Sequence, residues 1–430
     1  KCDWELLRSF VSNDNTEGQM SLEAVGIDVT QEKLLELIDI AEVMASKYEV
    51  VVTNPPYMGN GAMGSKLVIF AKENYKKTKS DLSTMFMEKN IGMLKKNGYT
   101  SLINIPVWMF IQAYKDLRID IVNHKQIINM LHFGRGIFGS DFGTTAFIIR
   151  NDNNYDYNGM YFRLFDNQNA VDNINLKEKW FMEKKNKYIT KQEFFNYIPT
   201  SPIAYWVSNS LLKNFEELDK LSEHAILASG TSTGDNDRFL RLWMEVDNKR
   251  IGVELDRNYN GIDYKWIPCN KGGVARKWYG NFEYIMDWEN NGEGIKNNRD
   301  ERGKLRSRPL NLDKNFIEGL TWTKVGAGSF AVRFFPNGYI CESIGAALYE
   351  NDYKLEMILG LLNSKVSKKI MEILNPTMGC QPGDVGRIPV CSFEEKDSMI
   401  CYLVDECIKE SQSEYDSFET SRNFKKHPLI

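Results

Sequence analysis

The chain has 430 residues, of which 42% are hydrophobic and 26% are charged. This balance is typical of a globular protein with more than one core, and the length predicts two or three domains. Since no run of about 18 apolar residues occurs, we expect no membrane span. The seven cysteines form no CxxC pair, so they predict free thiols in a reducing cytoplasm and no metal site.

Charge is distributed unevenly along the chain. The net charge is −4, yet residues 265–333 contain thirteen Lys or Arg and only eight Asp or Glu. This unevenness permits one DNA-facing region on an otherwise acidic protein. Chance variation over a solvated surface explains the same numbers equally well.

The first part of the chain alternates predicted helices and strands. Apolar residues at helical spacing cover residues 31–47, and the β-branched run YEVVVT at 48–53 predicts a short, fully buried strand. A helix capped by Ser80 or Asp81 follows and extends to about residue 96. Further strands are predicted at 99–105, 127–131 and 144–150. This alternation indicates an α/β fold.

The texture of the sequence changes after residue 150. The first domain is predicted to cover residues 1–165, and residues 166–200, rich in Asn, Lys and Asp, are predicted to be a linker. Residues 201–393 contain short aromatic segments punctuated by Gly and Asn, which indicates a second domain. Residues 394–430 have the pattern of a charged, helical segment.

The motif Asn54-Pro55-Pro56-Tyr57 directly follows the first predicted strand. Ligands bind at the carboxyl edge of the strands in an open α/β sheet, which is where this motif falls. The amide oxygen of Asn54 and a backbone carbonyl held rigid by two prolines can accept both hydrogens of an amino group such as adenine N6. These bonds favour the positive charge that develops as the nitrogen attacks a methyl group. The alternative is a rigid turn without a catalytic role.

From this motif onward, the sequence resembles the DNA methyltransferases that modify adenine N6. Residues 79–110 resemble the helix and strand after their catalytic loop, and YKDLR at 114–118 and TTAFIIR at 144–150 follow in the same order. The second half resembles the target-recognition region of large single-chain restriction-modification enzymes related to BREX-type phage-defence enzymes. The matching sequences there are GTSTGDNDRFLRLW at 230–243, NKGGVARKWYGN at 270–281, LLNSK at 361–365 and NPTMGCQPGDVGRIPV at 375–390.

The resemblance implies a partial Rossmann-like methyltransferase sheet followed by a mixed α+β target-recognition domain at residues 201–393. It implies that Asn54, Pro55, Pro56 and Tyr57 form the catalytic loop of an adenine-specific enzyme that uses S-adenosylmethionine. In such an enzyme, Tyr57 would stack on an adenine flipped out of the duplex.

Four more residues receive roles from the same resemblance. Asp81 and Phe86 lie on the helix that should line the pocket for the methyl donor and the target; otherwise they are a helix cap and a core aromatic. The family often has a further aromatic residue after the last strand. Since Asn151 stands there in this chain, Phe142 and Phe147 are the candidates to stack on the flipped base.

The front of the cofactor domain is expected to be missing. The family holds S-adenosylmethionine in a glycine-rich loop upstream of the catalytic loop, whereas this chain has only Gly18 and Gly26 before Asn54. We therefore expect a fragment that binds the methyl donor poorly and is inactive on its own.

Basic and aromatic residues interleave across residues 230–340. Lys and Arg can neutralise phosphates, Arg can also read guanine edges, and the glycine pair after Lys271 lets backbone amides approach a phosphate. The alternative is that the tryptophans are core residues and the charges are solvated. The residues predicted to contact duplex DNA are Arg238, Arg241, Lys271, Arg276, Lys277 and Trp278.

Other functions remain open at this point. The tetrapeptide also suits a methyltransferase that acts on RNA or on protein glutamine, and N4-cytosine methylation uses the same chemistry. A non-catalytic DNA-specificity module is the alternative of a different class. We expect a cytoplasmic protein whose partners are double-stranded DNA and other defence-system subunits, with no membrane association.

Overall fold

A computed structural model describes residues 2–12, 24–138, 142–154, 156–166, 170–259, 262–325, 330–375, 379–391 and 397–427. The chain forms two compact units. Unit one comprises residues 1–106 and 119–192, and unit two comprises residues 107–118 and 193–430. No helix in the described residues is long and apolar enough to cross a membrane.

Unit one is built on a six-stranded sheet with strand order β1-β2-β4-β3-β5-β6. β1 and β2 are parallel, whereas β4 runs antiparallel to both of its neighbours, and β5 pairs with β3 in parallel. The predicted α/β class is confirmed. The elements of this unit are α1 (Trp4–Ser12), α2 (Ala24–Ala45), β1 (Tyr48–Thr53), α3 (Ser65–Asn74), α4 (Leu82–Gly92), β2 (Leu94–Asn104), α5 (Lys115–His124, whose first turn belongs to unit two), β3 (Gln126–Gly134), β4 (Thr144–Arg150), β5 (Asn158–Arg163), α6 (Ile174–Met182) and β6 (Lys187–Lys191).

The structure corrects the expectation that the first strand is fully buried. β1 stands at the edge of the described sheet, and the side chains of Val50 and Val52 are 61% and 69% exposed. The β-branched run still forms a strand because such side chains suit a pleated backbone. Whether the side chains of this strand are buried depends on which other elements cover the faces of the sheet, and the residues of the strand itself do not determine this.

Residues 166–200 also differ from the predicted linker. They contain α6 and β6, and β6 pairs antiparallel with β5, with Phe162 opposite Lys187. Trp180 of α6 is buried with Phe165 in a small apolar cluster on this part of the sheet. Each of these elements buries only part of its surface, so most of its residues are polar. The Asn- and Lys-rich composition therefore does not distinguish the two elements from a linker.

The described residues of unit two form two four-stranded sheets, with strand orders β14-β10-β11-β9 and β13-β12-β15-β8, and a two-stranded pair of β16 with β7. Its helix α14 lies within the segment predicted to be helical. The elements are α7 (Asn209–Glu217), β7 (Asp219–Lys220), α8 (Leu221–His224), β8 (Ala225–Ala228), α9 (Asn236–Phe239), β9 (Leu240–Leu242), β10 (Trp266–Asn270), β11 (Tyr284–Asp287), α10 (Glu289–Lys296), β12 (Gly319–Thr323), β13 (Val332–Phe335), β14 (Ile340–Cys341), β15 (Gly345–Glu350), α11 (Leu355–Leu362), α12 (Lys365–Leu374), α13 (Pro382–Val385), β16 (Pro389–Val390) and α14 (Asp397–Asp416).

The largest apolar core of unit two lies between the β13-β12-β15-β8 sheet and helices α7, α11 and α12. Trp322 and Leu320 of β12 are fully buried there, together with Leu359 of α11 and Ile370 of α12. A second core around Trp288 packs beneath the other sheet. Most of the tryptophans in the interleaved basic and aromatic pattern are therefore buried core residues.

A buried arginine joins residues 107–118 to the rest of unit two. The Arg118 side chain is fully buried and donates to the carbonyl oxygens of Trp108 (2.9 Å), Ile111 (2.7 Å) and Thr200 (3.0 Å). Burial, with a smaller contribution from the charge of Arg387, lowers the pKa of Arg118 to about 9. Both arginines also donate to the hydroxyl of Thr200, whose φ of +76° is unusual for a β-branched residue.

His224 links the start of β8 to the turn after β15. Its Nε2 lies 3.1 Å from a carboxylate oxygen of Asp219, and its Nδ1 lies 3.2 Å from a carboxylate oxygen of Asp352. The His224 ring also packs against the ring of Tyr353. Desolvation lowers the pKa of His224, but hydrogen bonds to the two carboxylates, with their charges, raise it overall above the ordinary value of 6.5.

This raised pKa predicts a pH-dependent stability of unit two. The imidazolium is favoured in the folded state, so its contribution is fully present below the unfolded pKa and is lost as the pH rises through the folded pKa. Thermal unfolding measured from about pH 6 to about pH 8 should show this loss in the wild type and not in His224→Gln. Asp352→Asn should show a reduced pH effect, and an undiminished effect in His224→Gln would contradict the assignment.

Candidate active site

The parallel pairing of β1 with β2 positions the Asn-Pro-Pro-Tyr loop. Thr53 stands opposite Leu102, so both strands end at the same edge of the sheet. β4 begins at this edge as well, with Thr145 opposite Asn104. The loop therefore projects from the carboxyl edge of the strands, which is where open α/β sheets bind ligands.

Within the loop, Asn54 and Pro56 are exposed, Pro55 is buried and Tyr57 is half-buried. The Tyr57 hydroxyl lies 3.2 Å from the carbonyl oxygen of Ile103 and 3.3 Å from Oδ1 of Asn54, so one O–H donor faces two acceptors. An amide oxygen has two lone pairs and can accept a further hydrogen from an incoming amino group. Desolvation raises the pKa of Tyr57, which keeps its hydroxyl protonated as a donor.

Backbone hydrogen bonds fasten the following turn to the start of α4. The N–H of Asn60 donates to Ser80 (3.0 Å), the N–H of Leu82 donates to Met58 (2.9 Å), and Gly59 forms an antiparallel bridge with Asp81. Met63 and Met85 are buried in the apolar cluster beneath this turn. The loop is thus held on both sides, by strand β2 and by helix α4.

Asp81 caps helix α4. Its Oδ1 accepts from the backbone N–H of Ser83 (2.8 Å) and from the Ser83 hydroxyl (2.6 Å), and the residue is only 7% exposed. The structure therefore gives this predicted pocket residue a helix-capping role. Phe86 lies on the same helix and is 37% exposed, which leaves part of its ring accessible.

Phe142 contacts the Asn-Pro-Pro-Tyr loop. Its ring packs edge-on against Tyr57, with centroids 5.4 Å apart, and is 43% exposed. Phe147, the other candidate for stacking on a base, is 1% exposed within β4 and belongs to the core. The structure thus separates the two candidates and brings only Phe142 to the loop.

One residue of this edge was missed in the sequence analysis. Asn104 ends β2, is fully buried, and lies 3.4 Å from the carbonyl oxygen of Ser83 through Nδ2. Its Oδ1 accepts from the N–H of Ile105, and its carbonyl accepts from the Thr145 hydroxyl. The available signal was a second polar residue at the end of a strand, just before Pro106.

Three of the predicted DNA contacts lie on or beside the β14-β10-β11-β9 sheet. Arg238 is exposed on α9, Arg241 lies in β9, and Lys271 directly follows β10 with its ammonium group 4.2 Å from the centre of the Tyr284 ring. Leu242 stands opposite Tyr284 across β9 and β11. These basic residues therefore share one substructure.

The other three have partners within unit two. Arg276 forms an ion pair with Glu414 of α14 at 2.8 Å, and Lys277 donates to the carbonyl oxygen of Asn363 at 2.7 Å. Trp278 has a φ of +71° and packs against the main core of the unit. A role for these residues in DNA binding therefore competes with contacts that they already make.

Several known proteins are similar to this chain. The family model described as Eco57I restriction-modification methylase matches residues 8–138. The adenine-specific methyltransferase PglX of Lacticaseibacillus casei (strain Zhang) is 34% identical over 437 residues, which covers 100% of this chain and 36% of that protein. The adenine-specific methyltransferase BrxX of Escherichia coli O9:H4 (strain HS) is 36% identical over 419 residues, covering 95% and 33%.

Two solved structures share the fold. The Type IIL restriction-modification enzyme MmeI in complex with DNA has a TM-score of 0.54 at 11% identity, covering 87% of this chain and 50% of that chain. A nuclease-deletion mutant of the Type ISP restriction-modification enzyme LlaGI in complex with a DNA substrate mimic has a TM-score of 0.53 at 10% identity, covering 93% and 44%.

The fold is that of restriction-modification methyltransferases. Residues 8–138 of the chain match this restriction-modification methylase family, and the chain as a whole is similar to the two adenine-specific methyltransferases. It spans about a third of the length of the curated relatives that it matches.

The cap on α4 gives a direct test of how the loop is supported. Asp81→Ala removes both bonds to Ser83 and should lower the free energy of unfolding by about 1 kcal/mol, the usual cost of a lost N-cap. Asp81→Asn keeps an acceptor oxygen and should cost much less. Urea unfolding measures both, with Ser80→Ala as the neighbouring control; equal stability of Asp81→Ala and Ser80→Ala would contradict the capping role.

Proposed function

We propose that this chain belongs to an enzyme that transfers a methyl group from S-adenosylmethionine to N6 of adenine in a specific sequence of duplex DNA. The observation that carries the proposal is the exposed Asn54 amide at the carboxyl edge of the sheet, directly before two prolines and hydrogen-bonded to Tyr57. The adenine-specific relatives support the choice of base, and the complexes of MmeI with DNA and of LlaGI with a DNA substrate mimic support DNA as the partner.

The residues of the loop suit the chemistry of an exocyclic amine. Asn54 Oδ1 and a backbone carbonyl of the diproline would accept the two N–H hydrogens and bring the nitrogen lone pair out of conjugation with the ring. Tyr57 keeps the Asn54 amide oriented, and its ring, with Phe142 edge-on, offers a surface for a base flipped out of the helix. The nitrogen needs no deprotonation before attack, so no general base is required.

The rate would then depend mainly on how precisely the adenine N6 nitrogen is positioned. The methyl donor supplies an electrophilic methyl group on a sulfonium. The protein would align the nitrogen with this methyl group. Such alignment lowers the activation barrier because the translational and rotational entropy of the reactants is lost before the reaction step. The rigid Pro55-Pro56 backbone and the turn fastened to α4 both limit the motion of this loop.

We expect Asn54→Ala to lower methylation of duplex DNA by roughly 100-fold or more, the usual cost of removing one preorganised polar group. The assay follows transfer of a labelled methyl group to DNA by the complete polypeptide that the gene encodes. Asn60→Ala, which changes another exposed Asn in the same loop, is the matched control and should behave like the wild type.

The same assay decides between substrates. Methylation of RNA or of a glutamine-containing protein in preference to duplex DNA would overturn the choice of DNA. Unchanged methylation by Asn54→Ala would overturn the catalytic loop itself. DNA binding without methyl transfer to any of these substrates would leave the chain as a DNA-specificity module.

We also infer that residues 1–430 alone bind the methyl donor poorly. Asp81 and Phe86 are the donor-side residues in this chain, and the Asp81 carboxylate is already bonded to Ser83. No glycine-rich loop precedes Asn54 in the sequence. Calorimetric titration of the 430-residue chain with S-adenosylmethionine should therefore give affinity weaker than micromolar, and micromolar binding would contradict this inference.

The setting of the reaction follows from the substrate. A DNA methyltransferase of a defence system acts where bacterial DNA is, so we infer a cytoplasmic location and contacts with other subunits of the same system.

A further inference from the structure

Residues 299–308, here called the basic hairpin, concentrate positive charge on an exposed turn of unit two. The segment reads RDERGKLRSR and holds five basic and two acidic residues. None of its basic residues belongs to the set predicted above to contact DNA. All five are exposed: Arg299, Arg302, Lys304, Arg306 and Arg308.

The hairpin is a well-defined turn. Arg299 and Leu305 form an antiparallel bridge, and Gly303 stands near the tip with a φ of +76°. Oδ1 of Asp300 accepts from the backbone N–H groups of Arg302 (3.0 Å) and Lys304 (2.8 Å). One of the two acidic side chains is thus used to shape the turn.

The base of the hairpin is fixed to the motif at residues 230–243. Arg308 and Ser232 exchange both backbone hydrogen bonds, at 2.8 and 3.0 Å, and the buried Asn298 donates to the carbonyl of Thr233 at 2.9 Å. A Cβ on Gly234 would come within 2.6 Å of the backbone of Arg306, so only glycine allows this approach. The hairpin and α9, which carries Arg238, therefore have a common support.

The charges of the hairpin are available to an outside partner. Among the described residues, no carboxylate lies within 4.0 Å of any of its five basic side chains. Arg276 differs in this respect because Glu414 pairs with it. Five basic and two acidic residues give the hairpin a local charge of +3, which favours a polyanion, whose binding releases condensed counterions.

We propose that the basic hairpin binds the phosphate backbone of duplex DNA. This rests on the proposed function and adds a contact surface to it. Arg and Lys occur together along the turn, so the contact is with charge and carries no base preference. The hairpin thereby supplies affinity and register, while residues that reach the base edges supply specificity.

The test compares three variants of the 430-residue chain by fluorescence anisotropy on a labelled DNA duplex over a range of salt concentrations. Arg302→Gln with Lys304→Gln and Arg306→Gln should weaken binding roughly tenfold or more near ~0.1 M salt and flatten the log–log salt dependence by up to about 3. Arg302→Lys with Arg306→Lys keeps the charge and should bind like the wild type.

The control removes the same charge elsewhere. Lys365, Lys368 and Lys369 are exposed on α12, and their combined change to Gln should leave the salt dependence nearly unaltered. Unaltered thermal unfolding of the hairpin variant checks its folding, since its three side chains are exposed. Wild-type binding by the hairpin variant, or an equal loss in the α12 variant, would overturn the hairpin proposal alone. Absence of duplex binding by the wild type would overturn DNA binding by the chain as a whole.

Discussion

The parallel pairing of β1 with β2 is the constraint on which the site depends. It places Asn54 and the carbonyl of Ile103 at one edge, so that the Tyr57 hydroxyl can reach both. A slip of one residue would turn every side chain of the strand to the opposite face and carry the loop away from these partners. Asp81 at the start of α4 limits the same loop from the other side.

The local features of the site could be predicted from the sequence, whereas its surroundings could not. A β-branched run followed by Asn-Pro-Pro-Tyr predicts a strand and a stiff loop from neighbouring residues alone, and the helix after Asp81 begins where a capping residue predicts. The exposure of Val50 and the burial of Asn104 depend on residues distant in sequence. The same holds for α6 and β6, which pack although their composition resembles a linker.

In the second unit, the sequence predicts where positive charge accumulates but not which of the basic side chains already have partners. The excess of positive charge over residues 265–333 was visible in the sequence, but its division into engaged and available groups was not. Arg276 is paired with Glu414, which is 138 residues away in the sequence, and Trp288 and Trp322 are interior residues. The proposal that the basic hairpin binds DNA rests on two features of the structure that the sequence does not reveal. The base of the hairpin is held by hydrogen bonds, and its basic side chains form no ion pairs with described carboxylates.

The path of the chain through Arg118 has a consequence for protein engineering. Residues 107–118 belong to the second unit although they follow β2 directly, and Arg118 holds them to Thr200. A single cut after residue 192 would therefore separate the second unit from a part of its own interior, including the buried Trp108 and Phe110. An exchange of the second unit between related chains therefore needs two matched junctions, because a single donor segment that starts after residue 192 would lack residues 107–118.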